Sequence, residues 1–322
     1  MRSRFHHNQL ALIALLTLLG VTGGTLQIQT KTIAAPVAEA QVQEIDRLIA
    51  DGMRLFEEGS AESLRKAIVQ FEKALQLARL SQMREKQADS LLMLGRLHRR
   101  LGERQKALEY YNQSLPIWRG LGNRSVVATT LSNIGLVYDD LGEKQKALEY
   151  YNQALPILRA VGDSPEERLR QRSGEAMTLN NIGGVYDDLG EKQQALSYYD
   201  QALPILRAVG DQSGEATTLS NIGRVYDDLG EKQKALSYYN QALPIRRAVG
   251  DRLGEATTLN NIGAVYGDLG EKQKALQYYN QALPILRVVG DRSGEARILN
   301  NIGRVYSDLG EKQKALSYYN QA

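Results

Sequence analysis

The chain has 322 residues, and its 40 Lys and Arg nearly balance 37 Asp and Glu, which leaves no basic stripe of the kind that binds nucleic acid. It contains no cysteine, which excludes disulfides, thiolate metal sites and cysteine nucleophiles. Of its three histidines only His98 lies beyond the N-terminal stretch, so the body of the chain has no pair of histidines for a metal site, and we expect no metal and no cofactor.

The first 40 residues have the order of a secretory signal: a basic start with Arg2 and Arg4, an apolar run over 10–21, and small residues that end at Ala40. This order predicts cleavage before Gln41. One alternative is an uncleaved membrane anchor, because residues 8–30 carry no charge and could span a bilayer. Another is a cytoplasmic chain with an accidental apolar start. In the first two cases the remainder is exported to the periplasm or the outside, or is held at the membrane by its N terminus.

From about residue 42 the sequence repeats every 40 residues. Leu-Gly-Glu-Lys-Gln begins at residues 141, 189, 229, 269 and 309, and one step of 48 residues places an insertion at 164–171. Each period holds two helical patterns separated by glycine turns, and no segment has the two-residue period of a strand. The predicted repeat array, 41–322, divides into a degenerate first repeat, five full ones and a truncated last one: about 42–81, 84–122, 126–163, 172–211, 214–251, 254–291 and 294–322.

The insertion carries its own helix-start signal. Ser164 is a typical N-cap, Pro165 suits the first turn, and Glu167 stands three residues after the serine. These residues predict about two extra helical turns before the fourth repeat, which either project as a contact ridge or extend the stack.

A proline recurs in one slot of the second helical pattern. Inside a helix it removes one hydrogen bond and presses on the preceding turn, which costs about 3 kcal/mol. Its recurrence predicts either a bend that every unit shares or the first turn of a short terminal helix. The five positions are Pro116, Pro156, Pro204, Pro244 and Pro284.

Leu219-x-x-Ile222-Gly223-x-x-Tyr226, followed by Ala235-x-x-x-Tyr239, resembles the tetratricopeptide repeat (TPR). The resemblance covers almost everything after residue 41 and implies an all-α fold, a right-handed superhelical solenoid of about seven helix-turn-helix repeats. The units exceed the family's common 34 residues. They are similar to the long repeats of kinesin light chains, of G-protein-signalling modulators, and of bacterial proteins whose repeats precede a caspase-like (CHAT) peptidase domain.

Asparagine, a poor helix former, recurs just before the Ile-Gly pair of the first helix. In the family this side of the helix lines a concave groove, and the O-linked N-acetylglucosamine transferase holds an extended peptide there with an asparagine ladder. The resemblance therefore implies a similar ladder here. The alternative is that these amides bond to the adjacent repeat. The candidates are Asn133, Asn181, Asn221, Asn261 and Asn301.

Three residues further along the same helical face the residue varies between copies and is arginine at Arg224 and Arg304. One turn beyond, an aspartate is constant. We predict a groove with an amide rail, two arginines and an acidic border, suited to a peptide of mixed charge; the alternative is drift at an exposed slot. The constant aspartates are Asp140, Asp188, Asp228, Asp268 and Asp308.

Two further patterns belong to the scaffold in this interpretation. All 17 tyrosines fall into three slots, represented by Tyr226, Tyr238 and Tyr239, and are interpreted as packing residues. The Glu-Lys-Gln-Lys stretches that open the second helices are interpreted as solvated helix starts.

These features predict a non-catalytic protein–protein interaction scaffold, because no nucleophile, base and oxyanion site is evident. The expected partner is a protein or an extended peptide in the groove, with no nucleic acid. Membrane attachment through residues 8–30 and self-association through the last repeat, which has no capping helix, are further expectations. The alternative is a sensor or regulatory arm of a larger enzyme, a caspase-like peptidase whose catalytic domain is missing from this chain.

Overall fold

The computed structural model describes residues 23–160 and 164–322. Within these two ranges all regular secondary structure is helical and no strand occurs, which confirms the predicted all-α fold. Most of the predicted leader, residues 1–22, lies outside the described residues, as does the predicted repeat boundary at residue 163. None of the described helices has an apolar stretch long enough to cross a membrane.

By its contacts the chain forms two compact units, and the N-terminal unit is Met1–Gly122. Its helices pack in chain order, and α1 also contacts α3. The degenerate first repeat is a helix pair like the others: Gly52 lies so close to the ring of Phe71 that a Cβ there would be 2.6 Å from ring atom Cε2. The helices of this unit are α1 (Gly23–Glu58), α2 (Ala61–Leu80), α3 (Arg84–Arg100) and α4 (Arg104–Leu121).

The C-terminal unit, Asn123–Ala322, is a solenoid of five helix pairs. In each pair the first helix packs on the second, and the second packs on the first helix of the next pair. The first helices are α5 (Arg124–Asp140), α7 (Pro165–Asp188), α9 (Gln212–Asp228), α11 (Arg252–Asp268) and α13 (Arg292–Asp308). The second helices are α6 (Lys144–Arg159), α8 (Lys192–Val209), α10 (Lys232–Ala248), α12 (Lys272–Val289) and α14 (Lys312–Tyr319).

A glycine and a tyrosine fix how the helices of each pair meet. In the pair of α9 and α10, a Cβ on Gly223 would lie 2.8 Å from Cε1 of Tyr239, whose side chain is buried. Any residue larger than glycine would therefore push the two helices apart. The same contact recurs as Gly135–Tyr151, Gly183–Tyr199, Gly263–Tyr279 and Gly303–Tyr319.

Short turns and caps give the helices their ends. Gly230, with φ at +76°, ends α9, and the N–H of Glu231 donates to the carbonyl of Tyr226 at 2.8 Å, a glycine-capped helix end. Asp211 begins α9, because its Oδ1 accepts from the N–H of Gly214 at 2.8 Å.

The recurrent prolines lie inside continuous helices. Helix α10 runs through Pro244 to Ala248, and the other four second helices that contain the proline also continue past it. The prediction of a separate terminal helix is therefore wrong, and the proline occupies a helix interior at the same position in each unit.

The insertion lengthens a first helix. Helix α7 begins at Pro165, and the hydroxyl of Ser164 accepts from the N–H of Glu167 at 3.1 Å, which confirms the predicted cap. It has 24 residues, whereas α5, α9, α11 and α13 have 17 each. The difference corresponds to about two turns, as the sequence predicts.

Successive first helices of the C-terminal unit also contact one another: α5 with α7, α7 with α9, α9 with α11 and α11 with α13. Between the described second helices of this unit there is no such contact. The exposed side of these first helices is therefore one continuous surface, which we name the first-helix face.

Candidate functional site

The predicted asparagines all lie half-buried on first helices, at the same height in each repeat. Two of them bond to the neighbouring repeat: Nδ2 of Asn221 donates to Oδ1 of Asn180 at 3.4 Å, and Nδ2 of Asn301 donates to Oδ1 of Asn260 at 3.0 Å. The predicted alternative, in which these amides bond to the adjacent repeat, is therefore observed at Asn221 and Asn301. The asparagine ladder for a peptide stays a prediction.

These amides belong to a wider seam of side-chain hydrogen bonds between first helices. The hydroxyl of Thr218 donates to Oδ1 of Asn180 at 3.0 Å, and the hydroxyls of Ser132 and Thr178 lie 3.0 Å apart. Asn261 takes part through its own helix, where Nδ2 of Asn260 donates to its Oδ1 at 3.4 Å. At 3.4 Å such bonds are longer than the usual 2.9–3.0 Å and correspondingly weak.

The two predicted arginines are exposed and reach the neighbouring pair of helices. Nη2 of Arg224 lies 2.6 Å from Oδ2 of Asp187, a carboxylate with no exposed side-chain surface. Burial raises the pKa of Tyr279, and the positive charge of Arg304 opposes part of that rise. Each arginine therefore connects its first helix to the preceding repeat as well as facing solvent.

The predicted acidic border is mostly neutralised by lysines. Four of the five aspartates pair with the lysine that opens the preceding second helix, while Asp140 lies exposed at the end of α5. The aspartates therefore tie one repeat to the next. The pairs are Lys144–Asp188 at 2.5 Å, Lys192–Asp228 at 2.5 Å, Lys232–Asp268 at 2.7 Å and Lys272–Asp308 at 3.3 Å.

Three of these lysines also bond an aspartate of their own pair. Burial lowers the pKa of Lys232, but its hydrogen bonds to Asp227 and Asp268 outweigh that effect, so its pKa lies above the ordinary value. Lys272 has Gly267 where the others have this second aspartate, and its bond to Asp308 is the longest of the four. The interpretation of these lysines as solvated helix starts is therefore wrong: they are half-buried ties between repeats.

A second set of ion pairs, which the sequence analysis missed, connects successive repeats near the C-terminal end of each second helix. An arginine near the end of a second helix bonds a glutamate of the next first helix, which lies in the first turn of α9, α11 and α13 and nearly three turns into the longer α7. The eight-residue spacing from Arg to the glutamate of Gly-Glu, which the insertion lengthens to 16 in one pair, is the signal that could have revealed it. The pairs are Arg159–Glu175 at 3.0 Å, Arg207–Glu215 at 2.7 Å, Arg247–Glu255 at 2.8 Å and Arg287–Glu295 at 2.6 Å.

Two cavities open on the first-helix face, between first helices that these ion pairs connect. Cavity I, about 370 Å³, lies between α7 and α9 and is lined by Asn181 and Leu206 among others. Cavity II, about 410 Å³, lies between α9 and α11. The structure brings Asn221, Arg224 and Asn261 together in cavity II, while the aspartates of the predicted border line neither cavity.

Arg246 is a lining residue of cavity II that the sequence analysis missed. It lies near the end of a second helix, in a slot that holds a buried apolar residue in other repeats. The available signal is that the other full copies of the C-terminal unit have leucine in this slot, at Leu158, Leu206 and Leu286.

His98 occupies a packing position in the N-terminal unit. Its ring stacks on Tyr110 with centroids 5.2 Å apart, as Tyr226 stacks on Tyr238 in the later copies, and Nδ1 lies 2.9 Å from Oε2 of Glu103. In the described parts of the chain no group of three His, Asp or Glu side chains is placed to hold a metal ion.

Solved structures with the same fold extend over most of the chain. The aspartyl phosphate phosphatase F of Bacillus subtilis matches with a TM-score of 0.66 at 16% identity, over 92% of this chain and 72% of that one. RapI in its apo form matches with a TM-score of 0.62 at 20% identity, over 86% and 95%.

A third similar structure is a Signal Transduction ATPase with Numerous Domains from Pyrococcus horikoshii, described as having a tetratricopeptide repeat sensor. It matches with a TM-score of 0.62 at 18% identity, over 86% of this chain and 45% of that one. At these identities the likeness shows the fold alone. A search of curated protein sequences finds no match.

The family model of the tetratricopeptide repeat matches residues 60–120, 87–160, 174–248, 245–287 and 254–322. Together these matches span most of the chain after residue 60, in agreement with the stacked helix pairs and the glycine–tyrosine contact within each pair. The chain belongs to the tetratricopeptide repeat family.

Proposed function

We propose that the chain is a non-catalytic interaction scaffold that binds an extended segment of a partner protein along the first-helix face of its C-terminal unit. The observation that carries the proposal is the pair of open cavities on this face, both lined by side-chain amides and hydroxyls. A stack of helix pairs presents such a face as an extended surface, which suits an extended ligand.

The asparagines of cavity II are suited to a peptide backbone. An amide side chain offers both donors and an acceptor, so it can bond a peptide unit without reading its side chains. In the free protein the bonds Asn221–Asn180 and Asn260–Asn261 are both 3.4 Å long. Because such long bonds are weak, peptide groups can replace them at little loss.

The experiment is a selection of linear 12-residue peptides from a displayed random library on the full chain, followed by affinity measurement for the peptides obtained. We expect the double variant Asn221→Ala with Asn261→Ala to bind a selected peptide about thirtyfold more weakly, since each lost hydrogen bond is worth about 1 kcal/mol and the two together about 2 kcal/mol. The matched control is Gln241→Ala with Gln281→Ala, which removes two exposed amides from second helices. Equal binding by the wild type and the asparagine variant, or a selection that yields no binder, would refute the proposal.

A second candidate function is the sensor or regulatory arm of a larger enzyme. It is favoured by the similar ATPase structure, whose repeats are described as a sensor and of which the chain covers 45%. In this case a hydrolytic activity would co-purify with the full chain from its native source, and a peptide that binds the first-helix face would change the rate of that hydrolysis. No change in rate on adding the peptide would favour the simple scaffold. The catalytic partner that the sequence resemblance suggested, a caspase-like peptidase, is one candidate for that activity.

We also propose that the repeats act outside the cytoplasm, released after Ala40 or held at the membrane by the N terminus. The support is the basic start, apolar run and small residues of the first 40 residues. Intact-mass measurement of the protein from cell fractions tests this: we expect a chain that begins at Gln41 in the exported fraction or the uncleaved chain in the membrane fraction. Uncleaved chain in the cytosol alone would contradict the proposal.

A further inference from the structure

Cavity I and cavity II differ in what their lining leaves for a ligand. In cavity II the guanidinium of Arg246 bonds Asp251 and Thr217, and the guanidinium of Arg224 pairs with Asp187. Both arginines of that lining are therefore already paired within the protein. A partner side chain gains little by entering cavity II, because it would have to compete with these ion pairs.

Apolar side chains from three helices line cavity I. Leu136 of α5 is half-buried, Leu206 of α8 is 1% exposed and Met177 of α7 is 57% exposed. They border a space of about 370 Å³ that opens on the first-helix face. Apolar surface left in contact with water is unfavourable, so a ligand that covers Met177 and fills this space is favoured by burial of both surfaces.

Two of these apolar residues depart from the internal copies. Met177 stands in a slot that holds threonine in three other first helices, at Thr129, Thr217 and Thr257. Leu136 stands in the variable slot that holds arginine at Arg224 and Arg304. The two changes lie on different helices, α5 and α7, and meet at one cavity. Cavity I is therefore apolar because of two separate changes to the repeat.

The polar groups that line cavity I are bonded within the protein. The hydroxyl of Thr217 donates to a backbone carbonyl of its own helix, and that of Thr218 donates to Oδ1 of Asn180. Oδ1 of Asp211 accepts from the N–H of Gly214 at the start of α9. No lysine or arginine is among the residues that line the cavity. An apolar side chain could enter without breaking these bonds, whereas an acidic one would meet no cation.

Met177 also makes cavity I sensitive to oxidation. Among the methionines that the structure describes, Met53 and Met83 are half-buried, Met93 is buried and Met177 is exposed. A peroxide transfers one oxygen atom to the sulfur of an exposed methionine, and hydrogen peroxide leaves as water. The product, methionine sulfoxide, is polar and no longer packs as an apolar side chain. Oxidation of Met177 would therefore place a polar group in the apolar wall of cavity I.

We propose that cavity I is a subsite for one apolar side chain of the bound partner segment, and that Met177 makes this binding sensitive to oxidation by peroxides. The inference rests on the proposed function, because the apolar residue is presented by a segment that lies along the first-helix face. It adds a specificity: the segment carries a large apolar residue at the point where it crosses from α7 to α9. Asn181, which also lines cavity I, is available to bond the backbone beside that residue.

The first test uses the selected peptides and the full chain. Met177→Thr restores the residue of the other copies, so we expect little change in melting temperature. We expect its affinity for a selected peptide to fall about fivefold by fluorescence anisotropy, because the apolar contact is lost. The matched control Leu169→Thr removes an apolar side chain of the same helix that is 53% exposed and lines neither cavity, and it is expected to change affinity less than about twofold.

A second variant and the peptides themselves extend this test. Leu136→Ala gives α5 the residue that Ala264 provides in α11 and is expected to weaken binding about threefold or more. The selected peptides are expected to share one large apolar residue. Changing that residue to Ala is expected to abolish the difference between the wild type and Met177→Thr.

The second test is oxidation, which requires no change in the wild-type sequence. Treatment with hydrogen peroxide is expected to weaken peptide binding by the wild type about fivefold. Met177→Leu keeps an apolar side chain of similar volume and is expected to bind the peptide equally before and after treatment. Bound peptide is also expected to slow sulfoxide formation at Met177, measured by mass spectrometry of the digested protein.

The outcomes separate the subsite from the proposed function. Peptides that depend on Asn221 and Asn261 but bind equally to the wild type, Met177→Thr and Leu136→Ala would overturn the subsite and leave the proposed function intact. Selected peptides that share a Lys or Arg in place of the apolar residue, paired with Asp211, would do the same. Equal binding by the oxidised and untreated wild type would overturn the role of Met177 in oxidation sensitivity. A selection without binders would overturn both proposals.

Discussion

Cavity I and cavity II are built from corresponding helices of successive repeats and differ in the side chain that each takes from its second helix. Leu206 of α8 lines cavity I and is 1% exposed. Arg246 of α10 occupies the same slot in cavity II, and its guanidinium contacts Asp251 and Thr217. The helix pairs around them share the same caps, the same glycine–tyrosine contact and corresponding Lys–Asp and Arg–Glu ion pairs. The comparison teaches that the stacked helix pairs tolerate a charged side chain in this slot, so the chemistry of a cavity can change without a change of fold.

The largest effect is expected where both cavities depend on one contact. Tyr239→Ala empties the space against Gly223 on α9, the helix that the two cavities share, and is expected to lower the free energy of unfolding by about 3–5 kcal/mol. The neighbouring Tyr238→Ala is the control, because its ring is only half-buried and stacks on Tyr226. Thermal denaturation with hydrogen exchange of α9 and α10 measures the difference. Equal losses for the two variants would show that the frame does not depend on this contact.

The next effect concerns the slot in which Leu206 and Arg246 differ. Leu206→Arg places in cavity I the charge that cavity II already contains and is expected to lower the free energy of unfolding by about 2–3 kcal/mol, because a buried apolar side chain becomes a charge. Asp211 is available to pair with it, as Asp251 pairs with Arg246. Chemical denaturation measures the loss, and Leu206→Met is the control, with an expected loss below about 1.5 kcal/mol. A loss no greater than that of the methionine variant would mean that the leucine of cavity I is not needed for stability.

A smaller difference in stability is expected between loss of the lysine beside cavity I and loss of the lysine beside cavity II. Lys192 bonds Asp228 and also Asp187, which has no exposed side-chain surface, whereas both aspartates bonded by Lys232 are partly exposed. Lys192→Met leaves a buried carboxylate one donor short and is expected to lower the free energy of unfolding by about 2 kcal/mol. Lys232→Met is expected to lower it by about 1 kcal/mol, with a smaller loss at high salt. The reverse order in chemical denaturation would contradict this assignment.

The smallest effect concerns the mouth of cavity II. Leu253→Ser restores the residue of the other copies, and because Leu253 is half exposed its replacement is expected to change stability by no more than about 0.5 kcal/mol. We expect the affinity for a selected peptide to fall about threefold, from the lost apolar contact. Ser213→Ala near cavity I is the control and should leave affinity unchanged. An unchanged affinity for Leu253→Ser would show that this side chain does not contact the peptide.

Much of the fold could be predicted from the sequence because packing positions repeat. The glycine of the first helix and the buried tyrosine of the second stand 16 residues apart in every later copy, as in Gly223 and Tyr239, and their contact follows from that register. The helix start at Ser164 was predicted because its signal is local, in four consecutive residues.

The candidate site was less predictable because its contacts join distant residues. Lys192 meets Asp228 36 residues away, and since both positions are invariant in the copies, variation between repeats gives no sign of the pair. Their side chains looked solvated when each was considered on its own helix. Arg246 was missed for a different reason: its helix position marks a core slot, and only its place in the stack shows that the guanidinium reaches cavity II.

A crystal structure of the full chain with a selected peptide tests the central claim most directly. The account predicts an extended peptide on the first-helix face, with its backbone within hydrogen-bond distance of Asn221 and Asn261. A peptide bound to the second helices instead, or one whose backbone does not approach Asn221 and Asn261, would contradict it.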